Sequence, residues 1–208
     1  MPYDPQKHHR RSIRLKGYDY RQAGAYFITL CIRERECILG EVINGRVYLS
    51  QLGQIVQKEW YRTAAVRRNV ELDVFVIMPN HIHGIIIITD NSRATRQNLS
   101  ISPDDCEKRV APTREIMEKP RPKGAASGSL GAIVGQLKSM SAKRINRVRQ
   151  TPGVPVWQRD FYDHIIYRSE SLQAIRQYIL DNPLRWTDDS ENPNYPVANE
   201  DPLIDFPF

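Results

Sequence analysis

Three patterns in the sequence predict an α+β chain built as an antiparallel sheet covered by helices. Short runs rich in β-branched and aromatic residues alternate with helical periods. With one Asn-Gly hairpin set aside, the order is strand, helix, strand, strand, helix, strand. No run of apolar residues is long enough to span a membrane, the longest aliphatic stretch being Ile85–Ile88. That order is the split βαβ of a ferredoxin-like or RRM-like βαββαβ sandwich, with helices on one sheet face and the other face left for a ligand.

The elements follow in order. Ala25–Ile32 reads as a buried strand. Ile38–Leu49 reads as an added β-hairpin, because Asn44-Gly45 between apolar runs suits a tight turn with φ > 0 at both positions. In Ser50–Ala65, Leu52, Ile55, Val56, Glu59 and Trp60 recur at helical spacing. Val70–Met78 alternates as a strand, Pro79-Asn80 breaks it, and His81–Thr89 is its neighbour. Residues 90–128 are rich in Ser, Pro, Arg and Lys without periodicity and read as a mobile insertion.

Ser129–Arg149 is a second helix, with Leu130, Ile133, Val134, Leu137 and Ile145 on its apolar side. Phe161–Tyr167 is a short strand. A last helix opens at Ser169, read as its cap, and ends before Pro183, which turns Asn182 away from helical geometry. The domain is therefore expected over 23–188, between a basic arm at 1–22 and an acidic, proline-rich, extended tail at 189–208.

The 208 residues carry 30 Lys+Arg against 24 Asp+Glu, a net charge of +6. The excess is uneven: residues 129–150 hold basic side chains and no acid, and residues 186–208 hold acids and no base. Basic blocks suit a polyanion, since each phosphate neutralised releases condensed counterions; a solvated charged surface accounts for the same composition. Arg10, Arg11, Arg14 and Lys16 of the arm, and Lys138, Lys143, Arg144 and Arg147 of the second helix, are the candidate contacts to such a polyanion. The basic start Met1–Arg21 has no apolar stretch of a secretory signal, so a cytoplasmic location is expected. The three cysteines make no CxxC pair; Cys31 reads as core.

The chemistry concentrates in two places. In Met78-Pro79-Asn80-His81-Ile82-His83-Gly84, two histidines one residue apart on a strand project to one face, their Cα atoms about 6–7 Å apart. Such a pair can share a divalent cation, or be two hydrogen-bonded strand histidines. Gly84 leaves room for a close backbone or ligand approach. On the last helix, Leu172, Ile175 and Ile179 make the apolar stripe, Tyr178 lies on its flank and Asn182 one turn on. A flanking tyrosine can be a nucleophile, or pack its ring and show its hydroxyl to water. His164 is either a satisfied core histidine or a group orienting a ligand. Trp157 can stack a base or pack against the last strand.

Together with Trp157-Gln158-Arg159-Asp160-Phe161-Tyr162-Asp163-His164 and Tyr178-Ile179-Leu180-Asp181-Asn182-Pro183, the histidine block resembles the REP-associated tyrosine transposases of the HUH single-strand endonuclease superfamily. The opening Arg11–Tyr20 is similar as well. The resemblance implies that His81, His83 and Asn182 hold a divalent metal and that Tyr178 is the nucleophile. It implies Mg²⁺ or Mn²⁺; imidazole plus amide oxygen leans to tighter Mn²⁺ binding. It implies cleavage and rejoining of single-stranded DNA at hairpin ends through a 5′-phosphotyrosine, by a monomer or a homodimer. An RRM-like nucleic-acid binder without catalysis, or a metal-dependent nuclease that activates water, shares the same strand order.

Overall fold

The computed structural model describes residues 15, 17–90, 124–189 and 191–195. A four-stranded sheet is built from β1 (Gly24–Cys31), β4 (Val70–Ile77), β5 (His81–Ile88) and β6 (Tyr162–Ile166), in the order β4-β5-β1-β6. Every pairing in it is antiparallel. This is the α+β sandwich expected, with the two central strands β5 and β1 hydrogen-bonded on both sides. The separate hairpin of β2 (Gly40–Ile43) and β3 (Arg46–Leu49) turns at Asn44 and Gly45, with φ of 50° and 71°. The left-handed pair is what the Asn-Gly sequence predicts.

Helices α1 (Gln51–Ala65) and α2 (Leu130–Arg149) cover one sheet face. Ser50 caps α1 by accepting from the Leu52 and Gly53 N–H groups, and Ser129 caps α2 by accepting from Ala132. Tyr26, Ile28, Leu30, Ile82 and Ile86 of the central strands pack beneath Val56, Trp60, Ile133 and Leu137. Trp60 is fully buried and stacks on Phe75. Trp157 is packed rather than offered to a base: it is buried, and its indole N–H donates to Ser141 Oγ at 2.9 Å.

The other sheet face is not left open, as the strand order alone suggested. Helix α3 (Ser169–Asp181) lies across it, with Ile175 and Ile179 set on Phe27, Ile85 and Ile166. Its N-cap is Arg168, without a side-chain cap bond, so Ser169 is the first helical residue and not the cap. Asn182 keeps helical angles (φ −55°, ψ −42°) instead of turning away before Pro183, because the proline falls in the first turn of a 3₁₀ segment, Asn182–Asp188, that continues α3; Leu184 packs on the Gly45 turn.

Strand β4 departs from simple alternation. Leu72 pairs with Ile86 and Phe75 with Gly84, so Asp73 and Val74 together oppose Ile85. The bulge resets the strand: Phe75 joins Trp60 on the α1 side, whereas Val74 and Val76 pack towards α3.

Gly84 answers to the α1 side, not to a ligand. A Cβ there would overlap the Trp60 indole, 2.7 Å from Cζ2, and lie 3.1 Å from Phe75 Cβ. Gly84→Ala must displace a wholly buried ring, and overpacking of this kind costs about 1–3 kcal/mol. Its urea midpoint is expected to fall accordingly, with the slope of the transition unchanged.

Among the described residues no helix is long and apolar enough to cross a membrane. Arg10, Arg11, Arg14 and Lys16, the 90–128 insertion (apart from Asp90 and residues 124–128) and the tail beyond 195 fall outside the described residues.

Candidate active site

The α3-facing side of β5 carries His81, His83 and Ile85, and the neighbouring side of β1 carries Phe27, Thr29 and Cys31, by the pairing Cys31↔His81 and Thr29↔His83. Both histidines are buried, and their ring centroids are 4.5 Å apart. The Tyr178 ring stands 5.4 Å from that of His83 and edge-on to Phe27 at 6.1 Å. Asn182, at the end of α3, is 4% exposed. Four residues from two segments nearly a hundred positions apart in the chain thus meet on one sheet face.

Each imidazole is held from behind. The Asn80 amide donates from Nδ2 to the carbonyls of Arg35 (3.1 Å) and Glu191 (2.6 Å). Its Oδ1 therefore points at His81 Nδ1, 2.9 Å away, and accepts that proton. This sets the tautomer and leaves a lone pair on His81 Nε2. Thr29 Oγ1 lies 2.8 Å from His83 Nδ1 and orients the second ring in the same way.

Three buried atoms in this corner make no hydrogen bond: His81 Nε2, Asn182 Oδ1 and Asp189 Oδ2. His81 Nε2 faces Asp189 Oδ2 at 3.7 Å. Unpaired buried acceptors are costly, and three together mark a place where a ligand is expected. Among the described residues no three His, Cys, Asp or Glu side chains gather as a ready metal-ligand group. A cation here would need the Asn182 amide oxygen, and two imidazole nitrogens with amide and carboxylate oxygens suit a borderline or hard divalent ion.

Electrostatics follow burial. Desolvation pushes the His81 pKa down to about 3, with the Asn182 amide opposing the shift and Arg35 adding to it. His83 is held well below the ordinary imidazole value by burial and by His81. Burial raises the Tyr178 phenol to about 12, and Asp189 adds to this; the Asn182 amide works the other way, as does Arg185 more weakly. Asp189 is itself raised by burial.

Several of these residues carried no sequence signal. Asp189 and Glu191 lie in the stretch expected to be an extended tail, yet both reach back to the site. Glu191 pairs with Arg35 at 3.1 Å and accepts from Cys31 Sγ at 3.6 Å. Cys31 is accordingly half-buried at the site's edge rather than core. Trp186 is half-buried, its ring 6.1 Å from that of His81. Asn80 did have a signal, its place beside the His-Ile-His block, but it reads as a turn residue until its partners are seen.

The remaining candidates scatter. His164 shares this face, paired with Phe27 on the edge strand β6; the Phe27 ring, which stacks on His83 at 5.5 Å, is its neighbour in the sheet. Its pKa is lowered by burial, with Asp163 opposing. The basic residues of α2 lie on the layer opposite the histidines. Lys138 Nζ donates to the carbonyls of Gln158, Arg159 and Asp160, and Arg144 Nε pairs with the buried Glu59 at 2.8 Å. Lys143 and Arg147 are exposed.

An uncharacterized protein of Haemophilus influenzae is 36% identical to this chain over 187 residues, covering 90% of this chain and 95% of that protein. The chain belongs to that protein's family. No family model matches it. Among solved structures, a REP-associated tyrosine transposase bound to a REP hairpin aligns with a TM-score of 0.50 at 15% identity, over 84% of this chain and 74% of that one. The two share a fold, the one that the sequence resemblance implied.

The buried histidines give acid sensitivity a sign. Unfolded, each imidazole takes up a proton near its ordinary value of 6.5; folded, His81 resists until about 3. Between those values the unfolded chain binds more protons, so stability is complete above about pH 6.5 and is lost as pH falls. Denaturant titrations should show a loss of at most about 1.4 kcal/mol per pH unit for each histidine across that window. His81→Asn is expected to flatten the dependence.

Proposed function

We propose that the chain cleaves and rejoins single-stranded DNA with Tyr178 as nucleophile. The observation that carries this reading is the meeting of Tyr178, His81, His83 and Asn182 on one sheet face. The shared fold with a transposase bound to a DNA hairpin supports it.

In the proposed reaction a bond forms between the Tyr178 phenolic oxygen and phosphorus as the phosphorus–O3′ bond breaks. The strand segment 3′ of the break stays on the enzyme through its 5′-phosphate, as a 5′-phosphotyrosine, and the segment 5′ of the break leaves with a free 3′-hydroxyl, its O3′ taking up a proton. Because the phosphodiester energy is kept, a 3′-hydroxyl can reverse the step and join a new strand. The phenol must lose its proton first, and burial opposes that. The neutral, pre-oriented imidazoles and the Asn182 and Asp189 oxygens would hold a divalent ion, Mg²⁺ or Mn²⁺. Such an ion, when bound, supplies Lewis-acid charge to a non-bridging phosphate oxygen and favours the phenolate. Tyr178 and the histidine pair meet within one chain, so the site needs no second copy for these groups. Single-stranded DNA with hairpin ends is the expected partner, in the bacterial cytoplasm. Lys143 and Arg147, with the arm cations, are the proposed phosphate contacts, and His164 a proposed neighbour of the bound strand.

A water-activating nuclease remains a second reading only if Tyr178 is dispensable. Tyr178→Phe should abolish the SDS-stable adduct on hairpin oligonucleotides while leaving DNA affinity within about twofold; an undiminished adduct removes the nucleophile. Excess EDTA should stop cleavage, with Mn²⁺ restoring it. Replacing Lys143 and Arg147 with Gln should lower the slope of log affinity against log salt by about 1 for each phosphate that is no longer neutralised.

A further inference from the structure

The helix carrying Tyr178 is lightly anchored. Of its 13 residues only Ile175 and Ile179 are buried. These two, with the partly buried Leu172 beside them, set where the helix sits; a single narrow stripe leaves it free to roll about its axis, with Tyr178 packed at one margin. At about 100° per residue, Arg176 and Tyr178 lie on opposite flanks of the Ile175–Ile179 stripe, each roughly 80° from its centre. A roll that lifts one flank presses the other towards the sheet.

Arg176 is tied down. Its guanidinium makes a forked contact with Asp73: Nε to Oδ1 at 3.2 Å and to Oδ2 at 3.0 Å, and Nη2 to Oδ2 at 2.6 Å. Asp73 stands in the β4 bulge on the α3 side of the strand, and its Oδ1 also accepts the Val74 N–H at 2.7 Å. Its side chain is 11% exposed. The carboxylate is thus fixed by the backbone before the arginine reaches it, and a bidentate fork has one preferred plane.

We infer that the Asp73–Arg176 clamp, held by the Val74 N–H, sets the roll of α3 and so places the Tyr178 ring beside His83. Arg176 and Asp73 are positioning residues and touch neither DNA nor the reacting atoms. The inference rests on Tyr178 being the nucleophile, but its structural half does not. A roll of about 20° moves an atom some 5–6 Å from the helix axis by roughly 2 Å. A displacement of even 1 Å from attack geometry costs on the order of 100-fold in rate.

The test uses the full chain with 3-fluorotyrosine at position 178, followed by ¹⁹F NMR without DNA, alongside single-turnover adduct formation on a hairpin oligonucleotide. The variants are Arg176→Gln, Arg176→Lys, Asp73→Asn and the reversed pair Asp73→Arg with Arg176→Asp. In Arg176→Gln and Asp73→Asn the fluorine resonance is expected to broaden or move towards its solvent-exposed position. The adduct rate at saturating DNA should fall about 10- to 100-fold with DNA affinity within about twofold. Arg176→Lys, which keeps the charge and loses the fork, should fall between these and the parent. The reversed pair should recover part of the loss. An unchanged resonance and rate in folded Arg176→Gln, even with a lower melting temperature, overturns the inference. Should Arg176→Gln fail to fold, Asp73→Asn and Arg176→Lys decide by the same readouts. A parent protein that forms no adduct while its fluorine signal responds to the clamp refutes the proposed function and leaves the clamp standing.

Discussion

Strand β5 is the constraint on which the molecule is arranged. It is hydrogen-bonded on both edges and buried on both faces, and the two faces ask for different things. Towards α1 and α2 it presents Ile82, Gly84, Ile86 and Ile88, a surface that only apolar side chains satisfy. Towards α3 it presents His81, His83 and Ile85, and the histidines cannot be buried without partners. One face is therefore sealed by two helices with a tryptophan set on Gly84. The other needs hydrogen bonds behind the rings and something polar in front of them.

Those partners come from distant parts of the chain. Thr29 lies on the adjacent strand, Asn80 immediately before β5, and Glu191 reaches in from beyond the 3₁₀ segment to hold Asn80. What stands in front of His81 is the unpaired pair Asn182 and Asp189. The rear partners fix the orientation of the rings and burial keeps them neutral; in front stand acceptors that make no hydrogen bond. A site built this way is organised before any ligand arrives, because the cost of orienting the groups is met by folding.

The helix that carries Tyr178 is treated differently. It has little core of its own, and its connection to the sheet combines two isoleucines, an aromatic contact to Phe27 and one forked ion pair. The carboxylate of that pair sits within the β4 bulge, where its Oδ1 also accepts the Val74 N–H. The helix is thus tied by an ion pair to β4, the edge strand next to the histidine strand.

The order of elements, the hairpin turn and the histidine strand were all legible in the sequence, because they rest on local rules: periodicity, turn chemistry and side-chain direction along a strand. The pairing of Tyr178 with Asn182 on one side of a helix was legible for the same reason. The bulge was not, since Val70–Met78 reads as plain alternation until the register with β5 is known. Nor was the placement of α3 over the histidine face, because an apolar stripe says that a helix packs, not on which face. Asp189, Glu191 and the engagement of Lys138 and Arg144 depended wholly on chain segments brought together from afar. Polar side chains in a loop carry no period, and a surface lysine reads the same in sequence whether it meets a phosphate or three carbonyls of its own chain. Local chemistry thus wrote the elements and nominated the reactive groups, while the tertiary packing decided which of them face one another, since only long-range burial takes away the water that would otherwise serve them all.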